Sequence, residues 1–452
     1  MLPRSILAFA LMLISVAPAT PTSGPTVNAQ TSEFIYTIAQ HYDPLAWQHG
    51  GERFSSGAQI FIREGNSEHP LAPDFAATAD PTVSFDAQKI LFAGKHQADD
   101  PWQIWEITLE DKEVRRVTAG NDDCIRPFYL PDDRIVYARK VDGRFIIQAA
   151  DLSGGKLLTL TYINANAIPA DILRDGRILF ESGFPLGTGG PPEIYTVYSD
   201  GSGIESYRCD HVIARHGSRQ ASSGDIVFAT AHGLARFTSA RAQQVEIVSP
   251  QGEYAGDAAE ISGGEWILSW RPNASSPFEL VRWKPGSRDL TPLLVRSDAS
   301  LLQPTLLAQR PVPNRHPSGL HDWPNANLLC LSTYTSKYQF TPGSIESVRF
   351  YTRERDGSPR LLGTAPVERD GSFFVHIPDD QPLQIELLDA AGKTLKRESG
   401  FFWMRRGEQR GCVGCHAGPE TAPENAVPMV LLKSTTPADM TESAAEPGRT
   451  LE

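Results

Sequence analysis

Between about residue 80 and residue 305 the chain repeats one pattern: a polar or proline-containing lead-in, an Asp/Gly turn, then three consecutive apolar residues. Asp80-Pro81-Thr82-Val83 leads to Ile90-Leu91-Phe92, Arg126-Pro127-Phe128 to Ile135-Val136-Tyr137, and Ile168-Pro169-Ala170 to Ile178-Leu179-Phe180. Ile226-Val227-Phe228 and Trp266-Ile267-Leu268 continue the series. The apolar blocks begin 45, 43, 48 and 40 residues apart, the period of a four-stranded propeller blade. A further strand follows most blocks, as at Gln103-Ile104-Trp105-Glu106, Phe145-Ile146-Ile147 and Glu193-Ile194-Tyr195. Asp132-Asp133, Asp175-Gly176 and Ser223-Gly224-Asp225 supply the tight turns between strands.

A sixth lead-in, Leu302-Gln303-Pro304-Thr305, lacks its later strands, and an orphan strand, Gln59-Ile60-Phe61-Ile62, precedes the first copy. Ring closure accounts for both, because an N-terminal strand that completes the last blade removes the exposed sheet edges. The pattern therefore predicts an all-β chain with a six-bladed β-propeller over residues 30–310, seven blades being the alternative. The alternation of apolar triplets and Asp/Gly turns resembles that of TolB-type propellers.

Pro311-Val312-Pro313-Asn314-Arg315-His316-Pro317 marks a boundary. Strand patterns then resume at Asn327–Ser332, Ser347–Tyr351, Gly371–Ile377 and Leu383–Asp389. They predict a small β-sandwich-like domain over 311–400, followed by a short segment, 401–425, and a disordered tail, 426–452, rich in Pro, Glu, Ala and Thr.

The N-terminus places an apolar run, Ile6 to Ala17, after Met-Leu-Pro-Arg-Ser and ahead of a Pro/Thr/Ser/Ala-rich stretch, the layout of a secretory signal peptide over residues 1–29. Cleavage fits after Ala19 or Ala29, and an uncleaved anchor is the alternative. The run is too short to span a bilayer, which takes about 20 helical residues, so no membrane span is expected in the mature form and the location is periplasmic or secreted. A formal charge of -12 argues against a nucleic-acid partner.

Five cysteines, at 124, 209, 330, 412 and 415, are too few for a disulfide scaffold. Cys124 and Cys209 can either bridge or stay as thiols. Cys412-Val413-Gly414-Cys415-His416 is the chain's sole Cys-x-x-Cys-His, the attachment signature of one covalent c-type haem. Two thiols at this spacing each add to one vinyl group of a single porphyrin, and the adjacent His416 faces the iron. A local disulfide or a zinc site lacking one ligand are the other readings of the motif.

Phe401, Phe402 and Trp403 suit either a wall against the porphyrin or the sandwich core. Arg405, Arg406 and Arg410 suit either haem propionates or a solvated turn. His376, His321, His316, Met404 and Met429 are the candidates for a second iron ligand. His211, His216 and His232, close together in one blade, read as loop histidines rather than a metal site.

The stretches Gly363–Phe373, Leu387–Lys393 and Arg406–His416, within Asn327–Pro419, resemble the hydrazine synthase alpha-subunit family. The resemblance implies a multihaem redox assembly outside the cytoplasm, in which one c-type haem of the alpha subunit lies in the catalytic region. It also implies a Tyr ligand shortly after the motif, where this chain has none in residues 417–452 and carries Glu420. Hydrazine formation itself is therefore not expected. The reading is an exported haem protein with a redox partner or other subunits; the alternative is a non-catalytic propeller that binds a protein or carbohydrate. No Gly-x-Ser-x-Gly or His-Glu-x-x-His motif supports a hydrolase.

Overall fold

The computed structural model describes residues 33–55, 57–208, 214–239, 244–354, 357–414 and 425–441. The recurring apolar blocks are the second strands of successive antiparallel sheets, at Lys89–Lys95, Arg134–Val141, Ile178–Gly183, Ile226–Thr230 and Glu265–Arg271. Buried from both sides by neighbouring sheets, these strands have no wet face, so their apolar residues run consecutively instead of alternating. Apolar clusters join each sheet to the next around a closed ring. The result is a propeller of six blades, each four strands deep.

Closure joins the two ends of the ring, with a wider N-terminal share than the sequence suggested. Phe34–Ala39, Gln59–Glu64 and Ser67–Pro70 form three strands of blade 1, and Ser300–Leu306 supplies the fourth, its innermost. The N-terminal segment thus contributes three strands where one was expected.

The lead-ins are the innermost strands, Ala77–Val83, Cys124–Tyr129, Ala167–Ile172, His216–Gln220, Ala259–Ile261 and Ser300–Leu306. Asp80, Arg126 and Gln303 adopt positive φ immediately before a proline, and Asp257, followed by Ala258, adopts positive φ just ahead of the innermost strand of blade 6. The first three lie at β-bulges, which release the strand from the ladder where proline offers no N–H and turn the bulged side chain toward the ring's axis.

The C-terminal unit is a sandwich of two four-stranded sheets. One runs Gln409–Cys412, Ala326–Cys330, Phe373–Ile377, Ala438–Asp439; the other runs Pro359–Pro366, Ser347–Arg353, Leu383–Leu388, Thr394–Arg397. Leu328, Val348, Phe350, Val375, Ile377 and Leu387 fill the space between them.

The expectation of a disordered tail over 426–452 is corrected within its described part. Met429–Lys433 forms a short helix, Ala438–Asp439 pairs parallel with Val375 and His376, and Met440 is buried in the sandwich core. Low-complexity composition hid a single core residue that finds its partners far away in sequence. Among the described residues no helix is long and apolar enough to cross a membrane.

Candidate haem-attachment site and propeller channel

The segment entering the candidate site is fixed before it reaches the first motif cysteine. Phe401 and Trp403 are buried between blades 3 and 4, beside Leu186 and Tyr195, and the Trp403 indole donates to the Gly201 carbonyl at 2.9 Å. Their role is to dock the sandwich on the propeller. They belong to the apolar cluster of blades 3 and 4 and not to the sandwich core, because the apolar surface that receives them comes from another domain; Phe402, between them, touches both units.

Arg405 continues the junction. It donates to the Thr159 carbonyl at 2.8 Å, contacts the Tyr162 hydroxyl and lies 3.3 Å from Asp380. Glu408 accepts from the Arg405 backbone N–H at 2.8 Å and from the Arg410 guanidinium at 2.6 Å. Arg405 and Arg410 are thus engaged within the protein rather than in a solvated turn, whereas Arg406 is exposed. Gly407 adopts φ 74° at the centre of this turn, where a Cβ would lie 1.8 Å from the His321 carbonyl oxygen, so only glycine lets the turn close on the interdomain linker.

The turn launches Gln409–Cys412, an edge strand parallel to Ala326–Cys330 with Cys412 opposite Cys330. Cys412 is half-buried, packs against the sandwich core, and its Sγ lies 3.3 Å from the Gly414 carbonyl oxygen. Val413 is exposed, and Gly414 lies so close to the Ser332–Thr335 turn that a Cβ would come within 2.1 Å of the Thr335 carbonyl oxygen. Cys415 and His416 lie outside the described residues. What is described suits thioether attachment: a thiol at the end of an edge strand and a loop held close to the domain.

The other candidate iron ligands lie in several different settings. Met404 is fully buried in the sandwich core. His376 hydrogen-bonds Asn327 across the sheet at 2.6 Å, and the strand's alternation puts it on the face opposite Cys412. His316 stacks on Tyr198 and His321 on Trp323 along the linker. The Met429 backbone N–H donates to Asp370. Cys124 is a buried thiol whose pKa burial pushes up to about 11; its possible partner Cys209 lies outside the described residues, as does His211. His232 is exposed, and burial lowers His216 to about 4. No cluster of three His, Cys, Asp or Glu suited to a metal occurs among the described residues.

Sequence reasoning missed a second feature, the propeller channel. The bulged residues meet on the ring's axis. Arg126 binds Asp257 through three contacts of 2.9–3.2 Å, Arg53 binds Asp80 at 2.5 Å, and Gln303 donates to Asp80 at 2.6 Å. Arg219 reaches Asp257 at 3.2 Å, and Glu181 accepts from the backbone and hydroxyl of Ser218. Burial by itself pushes both aspartates up. The guanidiniums beside them, Arg53 and Arg126 at Asp80 and Arg126 and Arg219 at Asp257, outweigh it and hold both below the usual carboxylate range. Glu181, with hydroxyl and amide donors, is held above it by burial.

One end of the channel is plugged. Trp47 and Phe54, from the segment joining the first two strands, are buried against Trp102, Phe145 and Phe278, and Arg53 descends from the same segment to Asp80. The other end opens as a funnel of about 570 Å³ bounded by all six innermost strands and by linker residues 308–311.

Comparison with known proteins covers the two units unequally. Residues 343–417 match the family described as the hydrazine synthase alpha subunit middle domain. The curated hydrazine synthase subunit alpha of Kuenenia stuttgartiensis is 32% identical over 108 residues, 23% of this chain and 13% of that protein; the aligned stretch thus spans about an eighth of that relative's length. The solved Kuenenia stuttgartiensis hydrazine synthase superposes over 91% of this chain and 72% of its own with a TM-score of 0.78 at 17% identity, which establishes a shared fold for both units. TolB from Acinetobacter baumannii covers 64% of this chain and 68% of its own, at 14% identity with a TM-score of 0.48. The C-terminal region of this chain is hydrazine synthase alpha-subunit-like, and a β-propeller stands in front of it.

Proposed function

We propose that this chain is an exported c-type haem protein of a redox or electron-transfer assembly, with one haem held by Cys412, Cys415 and His416. The observation that carries the reading is the placement of Cys-Val-Gly-Cys-His inside the matched segment 343–417. Cys412 stands at the end of an edge strand, where a thiol remains reachable from solvent. Cys412 and Cys415 would form the thioethers and His416 would ligate the iron. The haem supplies one-electron redox chemistry when bound.

The chain's own residues orient this site. The Arg405–Glu408 turn sets the direction of the strand, Gly414 holds the loop against Ser332–Thr335, and Trp403 with Arg405 ties the whole to blades 3 and 4. A rigid mount of this kind keeps a redox centre at a constant distance from whatever docks beside it. Likeness to a protein named as a subunit supports a partner redox protein or other subunits. The N-terminal pattern supports a periplasmic or secreted location, where cytochrome c maturation takes place. Hydrazine formation is not part of the reading.

The test is a potentiometric titration of protein purified from a strain able to mature cytochromes c. A reversible one-electron change in the haem absorbance is expected, absent from Cys412→Ala/Cys415→Ala. Protein that carries no reducible haem band would overturn the proposal.

A further inference from the structure

The funnel at the open end of the propeller holds a cation with little to bind. Arg310, on the linker leaving blade 1, has its guanidinium over the Phe85 ring at 4.3 Å and makes a single long hydrogen bond, 3.4 Å, to the Val83 carbonyl. Among the described residues no carboxylate lies within ion-pairing distance of it. Its surroundings lower its pKa, first by burial and then by the like charge of Arg219, against the attraction of Asp171. Five N–H donors are therefore held in a partly dry cavity with most of their capacity unspent.

The acids nearby are occupied. Asp171 accepts from the backbone N–H groups of Ile172 and Gln220 and lies 3.7 Å from Arg219. Glu260, at the rim, has both carboxylate oxygens on Ser222. Pro81, Ala258, Pro304 and Leu306 make much of the remaining wall apolar. A volume of about 570 Å³ lies within the range of roughly 300–1,000 Å³ usual for small-molecule sites.

We propose that the funnel binds a small organic carboxylate, its carboxyl group on Arg310 and its hydrocarbon part along the apolar wall. A planar carboxylate matches the guanidinium fork and can accept two parallel N–H bonds, and the apolar wall favours an organic acid over inorganic phosphate. Arg219, already committed to Asp257, is a positioning residue that keeps Asp171 from neutralising Arg310. Glu260 is a repulsive carboxylate at the entrance, which selects for short, singly charged acids. The proposal is independent of the haem, since the sandwich docks on blades 3 and 4 through Phe401 and Trp403 and not across the funnel.

The test is isothermal titration of the full chain with hexanoate, and with hexanol and inorganic phosphate as controls. Hexanoate is expected to bind, with hexanol and phosphate at least tenfold weaker. Arg310→Gln is expected to weaken hexanoate at least tenfold, Arg310→Lys to retain part of the affinity, and Glu260→Gln to strengthen it several-fold. Thermal unfolding of each variant confirms that the propeller is intact, and the gain in Glu260→Gln cannot come from misfolding. Equal affinity for hexanol, unchanged affinity in Arg310→Gln, or no hexanoate binding to the wild type would each overturn the proposal.

Discussion

Replacing Arg126 by Met removes the centre of the channel network while keeping the side chain's length against Phe128. Three contacts to Asp257 disappear, and so does the 3.3 Å bond to the Pro169 carbonyl. Breaking a buried ion pair by removing one partner costs about 3–5 kcal/mol. Asp257 keeps Arg219 at 3.2 Å and Asp80 keeps Arg53, so the lower end, about 3 kcal/mol, applies here. At about 2–4 °C per kcal/mol for a domain near this size, the propeller's midpoint should fall by roughly 6–12 °C. Thermal unfolding followed by circular dichroism reads this directly, and Asp257→Asn with the double variant completes a cycle. The double variant should be less destabilised than the sum of the singles by about 0.5–3 kcal/mol, because both singles break the same Arg126–Asp257 pair and the second substitution removes the charge that the first leaves with Arg219 alone. A midpoint shift below about 2 °C for Arg126→Met, or additivity within about 0.5 kcal/mol, would refute the idea that this network holds the ring together.

Gly407→Ala should destabilise the junction by more than about 1 kcal/mol, since a Cβ there meets the His321 carbonyl at positive φ; faster proteolysis of the linker at 311–325 is the readout. Met440→Ala should lower sandwich stability by about 2–5 kcal/mol in a denaturant titration, the usual cost of emptying a buried Met position. Acidification should act in two stages. His216 is held neutral in the fold down to about pH 4, whereas the unfolded chain protonates it near 6.5, so stability falls as pH drops across that interval. Asp80 and Asp257, depressed in the fold, contribute stability above the normal carboxylate range and lose it below about pH 4. His216→Asn should flatten the first stage and leave the second, as measured by unfolding midpoints between pH 7 and pH 3.

What could be read from the sequence follows from how local each signal is. Ile90-Leu91-Phe92 and its counterparts announce themselves because a strand buried on both sides has no polar register to break the run. Innermost strands such as Cys124–Tyr129 are disguised by a proline, which usually argues against a central strand; the bulge that admits it depends on a positive φ no local pattern states. Phe34–Ala39 was overlooked because its partner, Ser300–Leu306, lies at the other end of the propeller. The same distance hides the channel: Asp80 meets Gln303 across 223 positions and Arg126 meets Asp257 across 131. Phe401 and Trp403 read correctly as apolar, but the surface that receives them belongs to another domain. The haem-attachment reading of Cys412 needs no distant partner, since it rests on a spacing of four residues.

Covalent attachment of haem to that spacing is the claim on which the functional reading depends, and intact-mass spectrometry of the protein, purified from a strain able to mature cytochromes c, tests it most directly. The account predicts a gain of one haem, retained under denaturing conditions and carried by the peptide containing Cys412 and Cys415, with none on Cys412→Ala/Cys415→Ala. Protein of unmodified mass, or a wild type in which Cys412 and Cys415 are found bridged to each other, would contradict it.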